Sequence, residues 1–428
     1  MSDLTALTAS EVLSLYRGEK ASPVEVVEAC LARIAARDVA VRAWEHVDAD
    51  HALAQARSLR SDAAGLLHGV PIGFKDIVDT AELPTAYGSP IYAGHRPARD
   101  AVCVTACRAA GGLVLGKTVT TEFAGRNPGK TAHPLDPLHT PGGSSSGSAA
   151  AVADRHVYLA IGSQTAGSTI RPAAYCGVHA LTPSSGSVSF GGMKHLSERL
   201  DRIGLFARSV PDLALFRAAL VGARAAAIAP VSGKLRAGLC RTPYWDRASS
   251  AVRAAIEVAA SRLEAAGVAL REIAYPDTFG DAEELCWQVI EFEAARNFAG
   301  DYARRPQSLS AWMRASIERG TRRGPEQHEA NLRRLAVAEA CFDTIFETVD
   351  FLLAPSAGEE APLGLSDTGS PIFNLPFHIA GLPAVSLPLG VGPGGLPIGL
   401  QVIGPRYADG RLLDVAAAIE ARLGVASA

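Results

Sequence analysis

From residue 67 onward, short apolar runs between glycines alternate with helical stretches, and this alternation constrains the fold more than any other feature. The first predicted elements of this part are the strand Val70–Phe74, the helix Asp100–Ala110, the strand Leu113–Leu115, the helix Ala149–Ala153 and the strand Val157–Ile161. Strands that alternate with helices form a sheet whose faces the helices cover. The sequence therefore predicts an α/β fold.

The first 60 residues and residues 210–345 are predicted to be mostly helical. Residues 22–25 (SPVE) have the pattern of a capping box with proline at the first helical position, which predicts a helix start. The later predicted helices are Pro211–Val221, Ser250–Ala266, Asp281–Phe298 and Pro325–Val349, interrupted by the strands Leu235–Leu239 and Val268–Ile273. The final predicted elements are the strands Phe351–Ala354, Ala384–Leu387 and Ile398–Ile403 and the helix Asp409–Leu423.

The composition fits a single folded body. Of the 428 residues, 48% are apolar and 20% are charged, so the chain can bury a large core, and wholesale disorder is excluded. The chain contains no internal repeat, no low-complexity tract and no clear linker. One α/β body with a helical insertion in its second half is therefore the simplest interpretation.

Charge and cysteine content limit the expected partners and compartment. The 41 basic and 44 acidic residues leave a net charge of −3, which argues against nucleic acid or an anionic membrane as a partner. The most apolar long stretch, residues 218–231, contains Arg224 and Pro230 and is not predicted to span a membrane. Seven scattered cysteines without a CxxC pair or zinc spacing, and an N-terminus without a secretory signal, favour the cytoplasm.

Residues 111–118 (GGLVLGKT) match the phosphate-binding pattern G-x4-G-K-[ST]. A phosphate loop needs amide-exposing residues between its glycines, and it follows a strand and precedes a helix. Here the middle of the pattern is itself a predicted strand, and a predicted helix precedes it. A phosphate site at Lys117 is therefore a disfavoured alternative.

Residues 143–147 (GSSSG) match G-x-S-x-G, the nucleophile elbow of α/β-hydrolases, with Ser145 as the nucleophile. An elbow follows a hydrophobic strand, whereas the preceding residues 139–142 (HTPG) cannot form a central strand. The elbow would also need a later acid and a later histidine. His328 and His378 are available, but nothing in their surroundings marks either as a base, so this alternative is also disfavoured.

Lys75 lies at the end of the apolar strand within the segment 68–76 (HGVPIGFKD), in a chain with six lysines and 35 arginines. Burial at the end of an apolar strand disfavours the charged amine and lowers its pKa. A neutral lysine can act as a general base. The alternative is a strand-end lysine that pairs with Asp76 in solvent.

Two segments rich in small residues follow in the chain. Residues 141–148 (PGGSSSGS) lead into a predicted helix and expose backbone amides together with hydroxyls. Residues 162–174 (GSQTAGSTIRPAA) follow a buried strand, and their small side chains let backbone N–H groups converge beside the Ser168 hydroxyl, as an oxyanion hole requires. The alternatives are a flexible loop with an ordinary helix cap and a polar turn that closes the strand.

Together these segments resemble the amidase signature hydrolases, and the resemblance spans nearly the whole chain. Besides the three segments above, its motifs are 200–204 (LDRIG), 207–210 (ARSV), 373–374 (FN), 381–384 (GLPA) and 395–401 (GLPIGLQ). The resemblance implies one large α/β domain over residues 1–428, with a mixed β-sheet core covered by helices. The implied parts are a helical N-terminal segment 1–66, a catalytic core of about 67–210 and 350–428, and a variable, mostly helical substrate-pocket region of about 211–349.

The resemblance also implies roles for individual residues. The family's Ser–cis-Ser–Lys triad corresponds to Ser168, Ser144 and Lys75, and the 24-residue step between the two serines is the family's spacing. The implied oxyanion hole consists of the backbone N–H groups of Thr165, Ala166, Gly167 and Ser168. The implied supporting hydroxyls, which orient Lys75 and Ser144, belong to Ser145, Ser146 and Ser163.

The loop that carries Ser168 departs from the family pattern in two ways. Gln164 stands where the family commonly has Asp, and Ala166 stands where it has Gly, so the loop must tolerate a Cβ. The family often has an arginine two residues after the nucleophile, but here it comes three after, as Arg171. This placement resembles the small malonamidase-like branch, in which the arginine holds a substrate carboxylate. The alternative is that Arg171 braces the loop.

The expected function is hydrolysis of a linear amide in a small molecule through an acyl-enzyme on Ser168. A carbamate (urethane) or ester hydrolase with the same triad, an amidotransferase subunit that acts only with a partner, and a non-catalytic relative remain alternatives. The resemblance implies no metal and no cofactor, and formation of a homodimer stays open. The further candidates for substrate contact, besides Arg171, are Arg126, Lys130 and Trp287.

Overall fold

The computed structural model describes residues 3–59, 65–223 and 227–424. Parts of the predicted N-terminal helical segment (residues 1, 2 and 60–64) and of the stretch 218–231 (residues 224–226) lie outside the described residues. Over the described ranges, the chain forms one sheet of eleven strands together with fourteen α-helices.

Strands and helices alternate along most of the chain. The strands are β1 (Trp44–Val47), β2 (Pro71–Lys75), β3 (Leu113–Thr118), β4 (Leu159–Gln164), β5 (His179–Thr182), β6 (Arg202–Ala207), β7 (Arg236–Arg241), β8 (Ala269–Ala274), β9 (Phe351–Pro355), β10 (Ala384–Val391) and β11 (Pro397–Ile403). The helices are α1 (Ala9–Arg17), α2 (Pro23–Val41), α3 (Ala49–Ser58), α4 (Val102–Ala109), α5 (Ser146–Ala153), α6 (Ile170–Cys176), α7 (Val210–Leu220), α8 (Ser250–Ala265), α9 (Ala282–Asn297), α10 (Ala299–Arg304), α11 (Ala311–Thr321), α12 (Pro325–Phe346), α13 (Leu375–His378) and α14 (Asp409–Leu423).

The sheet is mixed, and its strand order is β1-β3-β2-β4-β6-β5-β10-β11-β9-β7-β8. Strands β3, β2 and β4 run parallel to one another, as do β9, β7 and β8. The strands between these two groups pair in antiparallel fashion. The predicted single α/β domain with a mixed sheet is therefore confirmed.

Local sequence explains where helix α2 begins. The Ser22 hydroxyl accepts a hydrogen bond from the backbone N–H of Glu25, and the Glu25 carboxylate accepts one from the backbone N–H of Ser22. Pro23 occupies the first helical position, where its missing N–H costs no intrahelical bond. The predicted capping box is confirmed.

The three parallel strands β2, β3 and β4 lie at the centre of the core. Every residue of each strand is buried, so both faces of this part of the sheet are covered. Polar residues at the carboxyl ends of these strands, such as Lys75 and Gln164, are consequently removed from water.

The N-terminal region is not entirely helical, so that prediction was wrong for residues 44–47. These residues form β1, which pairs antiparallel with β3 at the edge of the sheet. Trp44 is buried, and its indole N–H donates to Nδ1 of His156. Pairing with a strand that lies about 70 residues later outweighs the helical context of this short segment.

Three further elements did not stand out in the local pattern. Helix α6 begins immediately after the small-residue segment that holds Ser168, and β5 and β6 pair with each other and with β10 and β4. The strands β7 and β8 from the mostly helical region extend the same sheet beyond β9. The helical insertion therefore adds to the sheet as well as covering it.

Across the three described ranges, no helix combines the length and the apolar character that crossing a membrane requires.

Candidate active site

Lys75 lies at the carboxyl end of β2, and its amine is enclosed by hydroxyls. Nζ of Lys75 lies 2.7 Å from Oγ of Ser144 and 2.8 Å from Oγ of Ser163, and it donates hydrogen bonds to both. The side chain is fully buried. The alternative in which Lys75 pairs with Asp76 in solvent is therefore wrong: Asp76 is also buried, and its carboxylate accepts a hydrogen bond from the backbone N–H of Ala86.

Burial places the Lys75 pKa well below the ordinary value of a lysine, because the charged amine loses its hydration. The nearby guanidinium of Arg171 lowers this pKa further, whereas the negative charge of Asp201 raises it. Desolvation dominates, so the amine is predisposed to be neutral. A neutral Nζ has a lone pair and can accept the proton of the Ser144 hydroxyl at the observed 2.7 Å.

The loop before α5 carries Ser144 and is closely packed. Gly142 has a φ of +79°, and a Cβ at this position would lie 2.9 Å from Cα of Pro172, so only glycine fits. The peptide bond between Gly143 and Ser144 is cis. Ser144 is 1% exposed, and its backbone carbonyl accepts a hydrogen bond from Thr121.

The two serines after Ser144 have structural partners. The Ser145 hydroxyl donates to the carbonyl of Ser163 and accepts from the backbone N–H of Ser163, which ties the loop to the end of β4. The Ser146 hydroxyl donates to the carbonyl of Val119. Of the three predicted supporting hydroxyls, only that of Ser163 contacts Lys75 directly. Because Ser145 is fully buried and follows a loop, the elbow alternative is wrong.

Residues 165–168 line a cavity, so Ser168 lies on its wall. Among the described residues, the backbone N–H groups of these four residues donate to no backbone carbonyl. Ala166 does not adopt a positive φ, so its Cβ is accommodated without backbone strain. The carbonyl of Ser168 accepts a hydrogen bond from the backbone N–H of Ser145, 3.3 Å away, which joins the two loops.

Gln164 fixes the entry to α6. Its side-chain oxygen accepts from the backbone N–H groups of Thr169 and Ile170, and its amide nitrogen lies 3.1 Å from Nδ1 of His378. Nε2 of His378 lies 2.8 Å from the carbonyl of Leu200. A carbonyl can only accept, so Nε2 carries the proton and Nδ1 accepts from Gln164. Burial holds the pKa of His378 well below its ordinary value, and this histidine is a neutral structural group.

Asp201 is a residue of the site that the sequence analysis did not identify. Its carboxylate accepts a hydrogen bond from the Thr165 hydroxyl at 2.5 Å and two more from the backbone N–H groups of Leu196 and Ser197. It therefore anchors the first residue of the segment 165–168. Asp201 belongs to the LDRIG motif, and that motif was the only signal for it in the sequence.

Arg171 lies on the cavity but also holds the loop of Ser144. One guanidinium nitrogen donates to the carbonyl of Gly143 at 2.5 Å and to the Thr368 hydroxyl at 3.2 Å. The side chain is 4% exposed, and burial lowers its pKa to about 10. Within the described part of the chain, Nε of Arg171 has no hydrogen-bond partner, and no carboxylate oxygen lies within 4 Å of the guanidinium nitrogens. The geometry is therefore compatible with both roles of Arg171: bracing the loop of Ser144 and binding a polar group of a ligand.

The remaining walls of the cavity come from distant parts of the chain. They include residues 124–126 of the core and side chains of α9 and α11, namely Trp287, Ile290 and Trp312. Arg126 pairs with Asp367 at 3.7 Å and stacks 5.9 Å above the ring of Trp287. Of the candidates for substrate contact, Lys130 lies elsewhere: it pairs with Glu45 at 3.1 Å and does not line this cavity.

Lys117 does not belong to a phosphate loop. It lies in β3, is fully buried, and donates to the hydroxyls of Thr80 and Thr85 and to the carbonyl of Val78. Most of the residues that match the phosphate-loop pattern form strand β3, in which Lys117 is a buried structural residue, so the phosphate-site alternative is wrong. Among the described residues, no group of three or more His, Cys, Asp or Glu side chains could hold a metal ion.

Comparison with known proteins identifies the family of the chain. The sequence profile of the Amidase family matches residues 25–413. The chain is 35% identical to a glutamyl-tRNA(Gln) amidotransferase subunit of Salinispora arenicola (strain CNS-205), with 99% of each chain covered. A solved amidase is 28% identical with a TM-score of 0.89, covering 98% of this chain and 100% of that one. The solved 6-aminohexanoate cyclic dimer hydrolase in complex with its substrate is 26% identical with a TM-score of 0.89, covering 99% and 98% of the two chains. The chain belongs to the amidase family.

Proposed function

We propose that this amidase-family protein hydrolyses the amide bond of a small molecule, with Ser168 as the nucleophile and Ser144 and Lys75 as its proton relay. The observation that carries the proposal is the buried Lys75 amine, 2.7 Å from the Ser144 hydroxyl. The proposal is also supported by the loop after β4, since Thr165, Ala166, Gly167 and Ser168 all line the cavity. A base, a relay hydroxyl, a nucleophile and oxyanion donors are the components that acyl transfer requires.

In the proposed first half-reaction, neutral Lys75 accepts the Ser144 proton while Ser144 accepts the Ser168 proton. Oγ of Ser168 attacks the amide carbon, and the N–H groups of Thr165, Ala166, Gly167 and Ser168 stabilise the oxyanion. The carbon–nitrogen bond then breaks, and Ser144 returns a proton to the leaving amine. In the second half-reaction, water attacks the acyl-enzyme, releases the carboxylic acid and restores the Ser168 hydroxyl.

A covalent label tests the order of the relay. A fluorophosphonate probe should modify Ser168, and mapping of the labelled peptide identifies the modified residue. Ser168→Ala should abolish labelling, whereas Ser145→Ala, which removes a neighbouring structural hydroxyl, should retain it. Modification of Ser144 in the wild-type protein would reverse the proposed order of the relay.

The preferred acyl group includes a carboxylate, as in the malonamidase-like branch. This finer proposal is supported by Arg171, a buried cation beside the nucleophile whose Nε is unpaired among the described residues. A planar guanidinium suits a carboxylate better than an ammonium does. Arg171→Lys should therefore raise the KM of a carboxylated amide more than that of its neutral analogue. Equal losses on both substrates, with a lower Tm, would assign Arg171 to bracing the Gly143 carbonyl alone.

Carbamates are the second class of substrate that this proposal includes, because the relay acts on the acyl carbon whichever heteroatom leaves. The measurement is kcat/KM for an aryl amide, an aryl carbamate and an aryl ester with the same acyl-side substituent. Turnover of the ester alone would contradict hydrolysis of a carbon–nitrogen bond.

A second candidate function is that of an amidotransferase subunit. Relatives such as the glutamyl-tRNA(Gln) amidotransferase subunit of Chloroflexus aggregans, 33% identical over 97% of this chain, carry that name. The alignment to the Salinispora relative spans 491 positions, more than the 428 residues of this chain, so the relatives contain segments without a counterpart here. Hydrolysis of a small aryl amide by the purified chain alone would favour the free hydrolase, and an absolute requirement for a partner would favour the amidotransferase.

The domain plan and setting complete the proposal. We take residues 1–66 as the N-terminal segment, about 67–210 and 350–428 as the catalytic core, and about 211–349 as the variable region of the substrate pocket. The contribution of α9 and α11 to the cavity supports that last assignment.

All seven cysteines are free thiols, which supports a cytoplasmic location. Light scattering of the purified chain tests whether it forms a homodimer.

A further inference from the structure

Two tryptophans of the cavity differ from a tryptophan of the core. Trp287 of α9 and Trp312 of α11 line the cavity beside Ser168, and both keep part of their surface exposed. Trp44, in contrast, is 4% exposed, and its indole N–H is paired with His156. A large apolar ring that remains on the wall of a cavity offers its surface to a ligand.

The two indoles form a preformed wall. Their rings meet edge to face, with centroids 6.3 Å apart and planes inclined by 73°. The backbone of Gly125 supports Trp312 from one side, because a Cβ at Gly125 would collide with the indole. Gly320 of α11 lies so close to the Glu291 carbonyl of α9 that a Cβ there would also collide, so the two helices are closely packed. A wall built on closely packed helices loses little entropy when it binds a rigid ring.

The rest of the lining makes the cavity amphipathic. Ile290 extends the apolar surface, and Arg126 stacks on Trp287 at the cavity. Near the nucleophile, residues 165–168, Arg171 and Thr368 add polar groups to the lining, and Pro371 adds an apolar one.

We infer that the substrate carries one aromatic ring, which packs on Trp287 and Trp312 while its amide carbonyl reaches Ser168. This inference rests on the proposed hydrolase function and specifies its substrate class. Aromatic pairs in edge-to-face or offset geometry are more stable than burial of their area alone implies, so a flat ring is preferred to a saturated ring of the same size.

The test compares three amides: phenylacetamide, cyclohexylacetamide and acetamide. The expected kcat/KM is about 10- to 100-fold higher for phenylacetamide than for acetamide, and about threefold to tenfold higher than for cyclohexylacetamide. Trp287→Leu and Trp312→Leu should each lower the ratio of phenylacetamide to acetamide turnover about threefold to tenfold. The matched control is Trp245→Leu, which removes a half-buried indole outside the cavity and should change neither value.

Binding is measured separately from turnover, in the Ser168→Ala protein. Phenylacetamide should quench tryptophan fluorescence there, and adding Trp287→Leu should remove most of that quenching. If phenylacetamide quenches the fluorescence of Ser168→Ala but the wild-type protein hydrolyses no amide, the hydrolase function is overturned and the aromatic site is retained. Turnover of acetamide with no preference for phenylacetamide, or an equal effect of the tryptophan substitutions on all three amides, would overturn the aromatic site.

Discussion

Two regions lie against the loop of Ser168, and they are stabilised in different ways. The polar cluster, defined as Lys75, Ser144, Ser145 and Ser163, is at most 1% exposed, and its members are joined by hydrogen bonds of 2.7–3.2 Å. The aromatic wall, defined as Trp287, Ile290 and Trp312, comes from α9 and α11 and is positioned by apolar packing. The polar cluster is enclosed and stabilised by directional hydrogen bonds. The shape of the aromatic wall depends instead on the size of its side chains.

This difference predicts which changes affect chemistry and which affect selectivity. A hydrogen-bonded, desolvated cluster fails when one member is removed, because the remaining polar groups are left unpaired in a low-dielectric site. An apolar wall tolerates replacement by another apolar group and responds mainly by accepting a different substrate shape. Four predictions, in order of decreasing effect, test this division.

Lys75→Ala should lower kcat by about 10⁴ on every substrate, because it removes the base that contacts Ser144 among the described residues. The measurement is kcat on an aromatic and an aliphatic amide, with a circular dichroism spectrum to verify folding. Lys130→Ala is the matched control, since that lysine is exposed and pairs with Glu45. A folded Lys75→Ala protein with near-normal turnover would contradict the proton relay.

Gly167→Ala should lower kcat about 10²-fold, again on all substrates. A Cβ at this position would collide with the side-chain oxygen of Asn374 and approach Pro371, so the oxyanion loop must shift. Misplacing even one oxyanion donor typically costs that much. Gly324→Ala is the control, because nothing surrounds a Cβ at that position. Retention of full kcat in Gly167→Ala would place the oxyanion site elsewhere.

Asp201→Asn should move the acidic limb of the kcat/KM profile to lower pH, by up to about one pH unit. Activity requires neutral Lys75, so it rises as pH passes upward through the pKa of this lysine. The charge of Asp201 raises that pKa, and its removal therefore lowers it. Arg171→Met removes a charge that lowers the same pKa, so its limb should move to higher pH. Shifts in the same direction for both variants would show that Lys75 does not control the limb.

Arg126→Ala should have the smallest effect, about a twofold to fivefold change in KM that depends on the substrate. Arg126 is partly exposed, its ion pair with Asp367 spans 3.7 Å, and its stacking on Trp287 is loose. Exposed ion pairs and cation–π contacts each contribute about 1 kcal/mol or less. The check is KM for phenylacetamide and acetamide; an equal loss of kcat on both would assign Arg126 to the polar cluster instead.

Local patterns predicted most of the fold. The apolar runs that become β2, β3 and β4 and the capping box of α2 all follow from the residues themselves. The elements that local patterns missed depend on distant partners. β1 exists because it pairs with β3, and the N-terminus of α6 is completed by the side chain of Gln164.

In the site, too, some features follow from the local sequence and others depend on contacts between residues that are distant in the chain. Small residues around Ser168 and a lysine at the end of an apolar strand are visible in the sequence, because backbone access and desolvation are local properties. The contact of Thr165 with Asp201 joins residues 36 positions apart, and nothing in either neighbourhood indicates it. Trp312 could not be selected either, since the sequence of α11 does not show which of its faces meets the cavity.

The α/β class, the family resemblance and the residues available for acyl transfer therefore follow from the amino-acid sequence alone. How those residues are used depends on the three-dimensional packing of the chain. That packing places Lys75 in a fully buried position between two hydroxyls, excludes Ser145 and Lys117 from the alternative sites, and brings two tryptophans of the helical region to Ser168. The physical reason is that the pKa of an amine and the shape of a cavity depend on every group packed around them, and most of those groups are far away in the chain.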